Sequence, residues 1–206
     1  MSPPPRRLGV LISGRGSNLQ ALIEAAAAGT LGAEIALVVS NVAGAAGLER
    51  ARAASLPAHV CEHRGLPRAE HEARVLEILR AGGVNLVALA GYMRLLSGAF
   101  VHAVPGPVLN VHPSLLPAFP GVSAQEQALA HGVKVSGATV HLVVEELDAG
   151  PIVLQEAVTV REDDSVESLA ARILEAEHRI FPRAVSIVAS GRYRLEGRRV
   201  ILEETA

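Results

Sequence analysis

Short aliphatic runs alternate with amphipathic stretches through the first half of this chain, and that alternation restricts the fold more than any other feature. Leu8 to Ile12, Glu34 to Ser40 and Leu86 to Ala90 read as strands, with a shorter one near Ala58 to Cys61. Between them, Asn18 to Ala28, Leu48 to Ala54 and about Arg68 to Ala81 read as helices. Leu19, Leu22 and Ile23 share one side of the first, and Leu76, Ile78 and Leu79 supply apolar surface in the third. Gly29 suits the end of the first helix and Gly82-Gly83 the end of the third. Such alternation builds βαβ units and a mainly parallel sheet. Hydrophobic residues make up 50% of the chain but aromatic ones only 2%, so the core must be aliphatic, as suits strands covered by helices on both sides. The expected class is α/β, a Rossmann-like, mostly parallel sheet with helices on both faces.

The pattern changes after Pro105. Val108 to Val111 is a short strand running into a proline-rich loop, 113–121, and Ser123 to His131 is a helix. Gly137 to Val144 and Ile152 to Val160 read as strands, so this part of the sheet should be mixed or antiparallel. Ser165 to Ser190 is a long helix that Ser165 can cap, with Val166, Leu169, Ile173, Leu174 and Ile180 at helical spacing. Pro182 should kink or divide it. Residues 193–200 read as a small hairpin. With 206 residues, no internal repeat and no long linker, the expectation is a single domain. Its parts are a first half at about 8–105, a second at about 106–190 and a C-terminal hairpin in 191–206.

Some classes are disfavoured. A net charge of −2 gives no large basic face for nucleic acid. No apolar run reaches the length of a membrane span. Met1 to Arg7 reads as a disordered tip rather than a secretory leader, and the cytoplasm is the default location. Cys61 is the only cysteine, which rules out an intramolecular disulfide, and it reads as a buried apolar side chain.

Two clusters carry chemistry. The first is Ser13-Gly14-Arg15-Gly16-Ser17-Asn18, between a strand and a helix. Its glycines permit a tight turn, the helix start offers unpaired N–H groups to an anion, and Ser17 and Asn18 add side-chain donors. Leu19 stands where a dinucleotide fingerprint needs its third glycine, and no Gly-Lys-Ser/Thr follows. The residues suit a single phosphate monoester, and equally a tight turn capped by Ser17 or Asn18.

The second cluster joins Asn110-Val111-His112-Pro113-Ser114-Leu115-Leu116-Pro117 to Asp148-Ala149-Gly150-Pro151. Asn110 and His112 lie at i and i+2, so on a strand they face the same side. An amide N–H and a protonated imidazole there could both reach the oxygen of a carbonyl under attack, and Asp148 would favour the charged imidazole. The alternatives are a structural histidine bonded to a loop carbonyl and an ordinary Asp turn. Hydrolase and zinc readings lack support: there is no Gly-x-Ser-x-Gly elbow, and His71-Glu72 has no histidine at zinc-protease spacing. His59, His63, His102 and His131 read as surface or loop histidines.

Together these segments resemble the phosphoribosylglycinamide formyltransferase family, folate-dependent enzymes of purine synthesis. The matching pieces are Leu11 to Gln20, Ser40-Asn41, Gly47 to Ala51, Leu89 to Leu96, Asn110 to Pro117, Glu146 to Pro151 and Glu177-His178. The resemblance implies 10-formyltetrahydrofolate as co-substrate, no metal, and glycinamide ribonucleotide as acceptor, in a monomer or homodimer. It implies that Gly16, Ser17 and Asn18 hold the ribose phosphate and that Glu177 lies near the glycinamide end. Arg68 and Met93, Arg94, Leu95 and Leu96 would contact folate, and Asn110, His112 and Asp148 would be catalytic. Gln125 stands where relatives often carry a histidine, which leaves no second histidine at that point.

Overall fold

A computed structural model describes residues 6–203. In chain order its elements are β1 (Arg6–Ile12), α1 (Ser17–Ala27), β2 (Ala33–Ser40), α2 (Gly47–Ala53), β3 (Ala58–Val60), α3 (Arg68–Ala81), β4 (Leu86–Leu89) and α4 (Gly98–Ala103). There follow β5 (Val108–His112), α5 (Ala124–Ala130), β6 (Val135–Leu142), β7 (Ile152–Thr159), α6 (Val166–Ser190), β8 (Tyr193–Glu196) and β9 (Arg199–Leu202). The strands form one sheet in the order β3-β2-β1-β4-β5-β6-β7-β9-β8. From β3 to β5 all pairings are parallel, whereas β6 runs antiparallel to β5 and β7 antiparallel to β6.

Alternation along the central strand β1 divides the core. Leu8, Val10 and Ile12 point to one face, where they join Leu19 and Leu22 of α1 and Ile173 and Phe181 of α6. Leu11 points to the other, with Val75 and Leu79 of α3 and Phe100 of α4. Both faces are therefore covered by helices, as a sheet of near-continuous aliphatic strands requires.

Two local expectations need correction, and one short helix was not foreseen. Arg6 and Arg7 belong to β1 rather than to a loose tip, because Arg7 pairs with Glu34 in the sheet and its N–H donates to Asn85 Oδ1 at 2.9 Å. The expectation for Met1 to Pro5, and the last three residues of the hairpin segment, lie outside the described residues. Pro182 does not divide α6, which runs unbroken for 25 residues. Phe181, Ala184, Val185 and Val188 are buried around it, so packing holds the helix across the missing N–H. Finally, the short α4 follows Ser97, whose hydroxyl accepts from Phe100 N–H as an N-cap. Ser165 caps α6 as expected, in a reciprocal pair with Ser168.

Candidate active site

The loops that follow β1, β4 and β5 all leave the carboxyl ends of neighbouring parallel strands, where open α/β sheets place ligands. Ser13 joins the first two. Its N–H donates to Gly91 O at 3.1 Å, and its Oγ donates to Asn41 Oδ1 at 2.6 Å while accepting Met93 N–H at 2.8 Å.

In the first loop Gly16 adopts φ +71° as the N-cap of α1, and no side chain caps that helix. Its leading N–H groups are left for a ligand, which favours an anion over a self-capped turn. A Cβ on Gly16 would lie 2.5 Å from Gly47 Cα, so glycine is needed here for close approach as well as for φ. The expectation that Asn18 adds a side-chain donor for the anion is corrected. Its amide points inward, is only 7% exposed, and donates from Nδ2 to Glu177 Oε2 at 2.6 Å. Asn18 can serve an anion through its backbone N–H, while its Oδ1 stays buried without a partner. Glu177 is likewise buried, not a helix-surface group, and burial pushes its carboxyl up to about 7 against the opposing bond from Asn18. A groove of about 470 Å³ between α1 and α6 begins at Ser17 and is bordered by Arg50, His178 and Arg183. None of Asn110, His112 or Asp148 lines it.

The second cluster forms where the sheet turns from parallel to antiparallel. Asn110 and His112 share a face of β5, opposite His141 and Thr139 of β6. Asp148 arrives from the β6–β7 connection with φ +50°, a left-handed backbone that a residue with a Cβ adopts at a cost. Its carboxylate faces two imidazoles: Oδ2 is 3.5 Å from His112 Nδ1, and Oδ1 is 3.7 Å from His141 Nε2. Gly121 N–H also donates to Oδ2 at 2.8 Å. Burial alone would raise this carboxyl. The nearby His141, the Gly121 N–H and the charge of the two rings together hold it below its ordinary value, so Asp148 stays ionised.

Both readings of His112 meet in this geometry. Its Nε2 lies 2.9 Å from the Phe119 carbonyl, the loop-carbonyl bond of a structural histidine. That bond orients the ring and aims Nδ1 at Asp148, across a gap longer than a direct hydrogen bond. A reacting oxygen would meet Nδ1, with Asp148 beside it.

His141 is the member of this cluster that the sequence reading missed. Its Nδ1 donates to Leu142 O at 3.1 Å, and its Nε2 lies 3.2 Å from Asn110 Nδ2. This bond fixes the Asn110 amide and leaves its second N–H free for a substrate oxygen. The available signal was a histidine within an otherwise small and apolar strand, at a position that alternation places inward. The second histidine of the cluster thus comes from β6, while Gln125 lies half-buried on α5.

In the loop after β4, Met93 and Leu95 are 77% and 57% exposed, apolar side chains without protein cover, whereas Leu96 packs against the core. Arg68 begins α3, half-exposed, with Nε bonded to Glu72. Among the described residues no group of three His, Cys, Asp or Glu side chains is placed to hold a metal ion, and no helix is long and apolar enough to cross a membrane.

Comparison with known proteins adds a family. The model of the formyl transferase family matches residues 6–185. A phosphoribosylglycinamide formyltransferase of Haemophilus influenzae is 39% identical over 98% of this chain and 95% of its own length. The crystal structure of glycinamide ribonucleotide transformylase 1 from Symbiobacterium toebii is similar at a TM-score of 0.94 and 52% identity, covering 97% of this chain and 95% of that one. The trifunctional purine biosynthetic protein adenosine-3 of Bos taurus is 49% identical over 95% of this chain, which spans only 19% of that longer protein.

Proposed function

The chain belongs to the formyl transferase family, and from that premise we propose that it moves the formyl group of 10-formyltetrahydrofolate to the amine of glycinamide ribonucleotide. The products are formylglycinamide ribonucleotide and tetrahydrofolate, in de novo purine biosynthesis. The observation that carries this reading is the convergence of Asn110, His112 and Asp148 where β5 meets β6, in a sheet whose β1 loop leaves the start of α1 without a side-chain cap. One place can hold an anionic acceptor, and the other can stabilise a developing oxyanion.

In this reading the ribose phosphate rests on the N–H groups of Gly16, Ser17 and Asn18, and Glu177 faces the glycinamide end. The pteridine lies against Met93, Arg94, Leu95 and Leu96, which covers the exposed apolar side chains, and Arg68 meets the rest of the folate. The amine lone pair attacks the formyl carbon, forming a C–N bond and placing negative charge on the formyl oxygen. The free Asn110 N–H and His112 Nδ1–H donate to that oxygen, and ionised Asp148 stabilises the protonated imidazole. Collapse restores the carbonyl and breaks the bond to the folate nitrogen. The attacking nitrogen loses a proton and the departing one gains a proton. These steps require no covalent enzyme intermediate and no metal, and holding two substrates in line supplies much of the rate.

The test is to incubate the pure protein with 10-formyltetrahydrofolate, with and without glycinamide ribonucleotide, and follow tetrahydrofolate release. Release that depends on the ribonucleotide is the expected result. Release without it would mean hydrolysis, and folate binding without release would mean a binding protein.

A further inference from the structure

Ser114 has no place in that chemistry, yet it is fully buried and its hydroxyl is spent inside the loop that follows β5. It donates to Ala118 O at 2.5 Å, with Phe119 O as a longer second acceptor at 3.3 Å. Burial keeps this hydroxyl away from any substrate, so its role lies in what it holds. Behind it, Thr139 of β6 is also fully buried, with its donor and both acceptor positions used. Its Oγ1 donates to Ser114 O at 2.7 Å and accepts from Leu116 N–H at 3.0 Å and from Gln155 Nε2 at 2.9 Å. Gln155 Nε2 also donates to Leu116 O at 2.8 Å.

The segment these bonds hold leads to a strained residue. Phe119 has φ +54°, in the left-handed region that a residue with a Cβ adopts at a cost and keeps only where its surroundings impose it. Two sets of contacts impose it. The Phe119 ring packs against the core and lies 5.2 Å from the ring of His131, in a tilted pair. Its backbone is held by Ser114, through Ala118 O and Phe119 O. The result is a carbonyl turned back onto the strand, 2.9 Å from His112 Nε2. A carbonyl only accepts, so Nε2 carries the proton of that bond. Relaxation of Phe119 to negative φ would swing its carbonyl off the ring. His112 would then lose the tether that aims Nδ1 towards Asp148.

We propose that Ser114 is a positioning residue for His112: its hydroxyl holds Phe119 in the left-handed conformation, so that the Phe119 carbonyl keeps the imidazole in its working orientation. The inference rests on the formyl-transfer reading for the reaction that His112 serves. Ser114 touches no substrate and acts through Ala118 and Phe119 on the ring.

The experiment compares Ser114→Ala, His112→Ala and the double variant. Each is assayed with 10-formyltetrahydrofolate and glycinamide ribonucleotide, and each is studied by NMR after isotopic labelling of the histidine nitrogens. The wild type should show a hydrogen-bonded ring N–H resonance that His112→Ala removes, which assigns it to Nε2. Ser114→Ala should lose that resonance to exchange with water and lower kcat about tenfold, the scale of one hydrogen bond. Both KM values should stay within about twofold, and Ser114→Ala should add nothing in the His112→Ala background. A resonance that survives in Ser114→Ala, a rise in KM in place of the fall in kcat, or a loss that persists without His112 overturns the proposal. Should Ser114→Ala not fold, Ser114→Cys fills the same space with a much weaker donor and is judged by the same criteria. If the wild type transfers no formyl group, the functional reading fails, while the resonance comparison alone still decides whether Ser114 orients the ring.

Discussion

Glu177 gives a sharp test of how the first loop is built. Its carboxyl is buried against Asn18 and has an ordinary value of 4.5 raised to about 7. At about 1.4 kcal/mol per tenfold change in proton affinity, the ionised form is disfavoured in the folded protein by about 3 kcal/mol. The sign follows from linkage: the folded state binds the proton more tightly than the unfolded chain. The group's stabilising contribution is therefore complete below pH 4.5 and is lost as pH rises through 7. Glu177→Gln removes the titration but keeps an oxygen for Asn18 Nδ2. Urea unfolding of wild type and variant at pH 5, 6, 7 and 8.5 isolates the residue, because other titrations cancel in the difference. Between pH 5 and 8.5 the wild type should lose about 2–3 kcal/mol relative to the variant. Parallel stability curves would refute the reasoning and mean that water or rearrangement solvates the carboxylate.

Three further outcomes follow from the site. His112→Ala and Asp148→Asn should each lower kcat by about a hundredfold or more with unchanged far-ultraviolet circular dichroism; a loss under tenfold in either removes that residue from the chemistry. His141→Phe should lower kcat about tenfold by releasing the Asn110 amide, and should have no added effect on Asn110→Ala; additive losses would mean that His141 acts separately. Gly16→Ala places a Cβ against Gly47 at positive φ, so it should destabilise the protein by about 1–3 kcal/mol and raise KM for the ribonucleotide more than for the folate. Equal changes in both KM values would count against a phosphate site in that loop.

The sequence made the strands and long helices legible because their periodicities are strong: the third helix falls at Arg68–Ala81, where spacing put it. It did not reveal α4, whose six residues are too few to show a period and whose start depends on the Ser97 cap. Asn110 and His112 were readable as a pair because strand geometry alone puts i and i+2 together. His141 was not, since its meeting with Asn110 depends on the register of an antiparallel partner about thirty residues away, and that register is set by packing. The same limit hid the inward turn of Asn18. A helix-start asparagine is ordinarily a cap, and only the approach of α6 brings Glu177 close enough to claim its amide.

Ser13 bonds at once to the strand-β2 end through Asn41 and to the β4 loop through Met93, immediately before the glycine turn that starts α1. In the proposed reading, one hydroxyl is thus a common datum for the seats of both reactants. On that reading, the gap that a formyl group must cross is set by these two hydrogen bonds rather than by two independent loops. A donor with a longer reach would be misplaced, because neither seat can retreat without dragging the other.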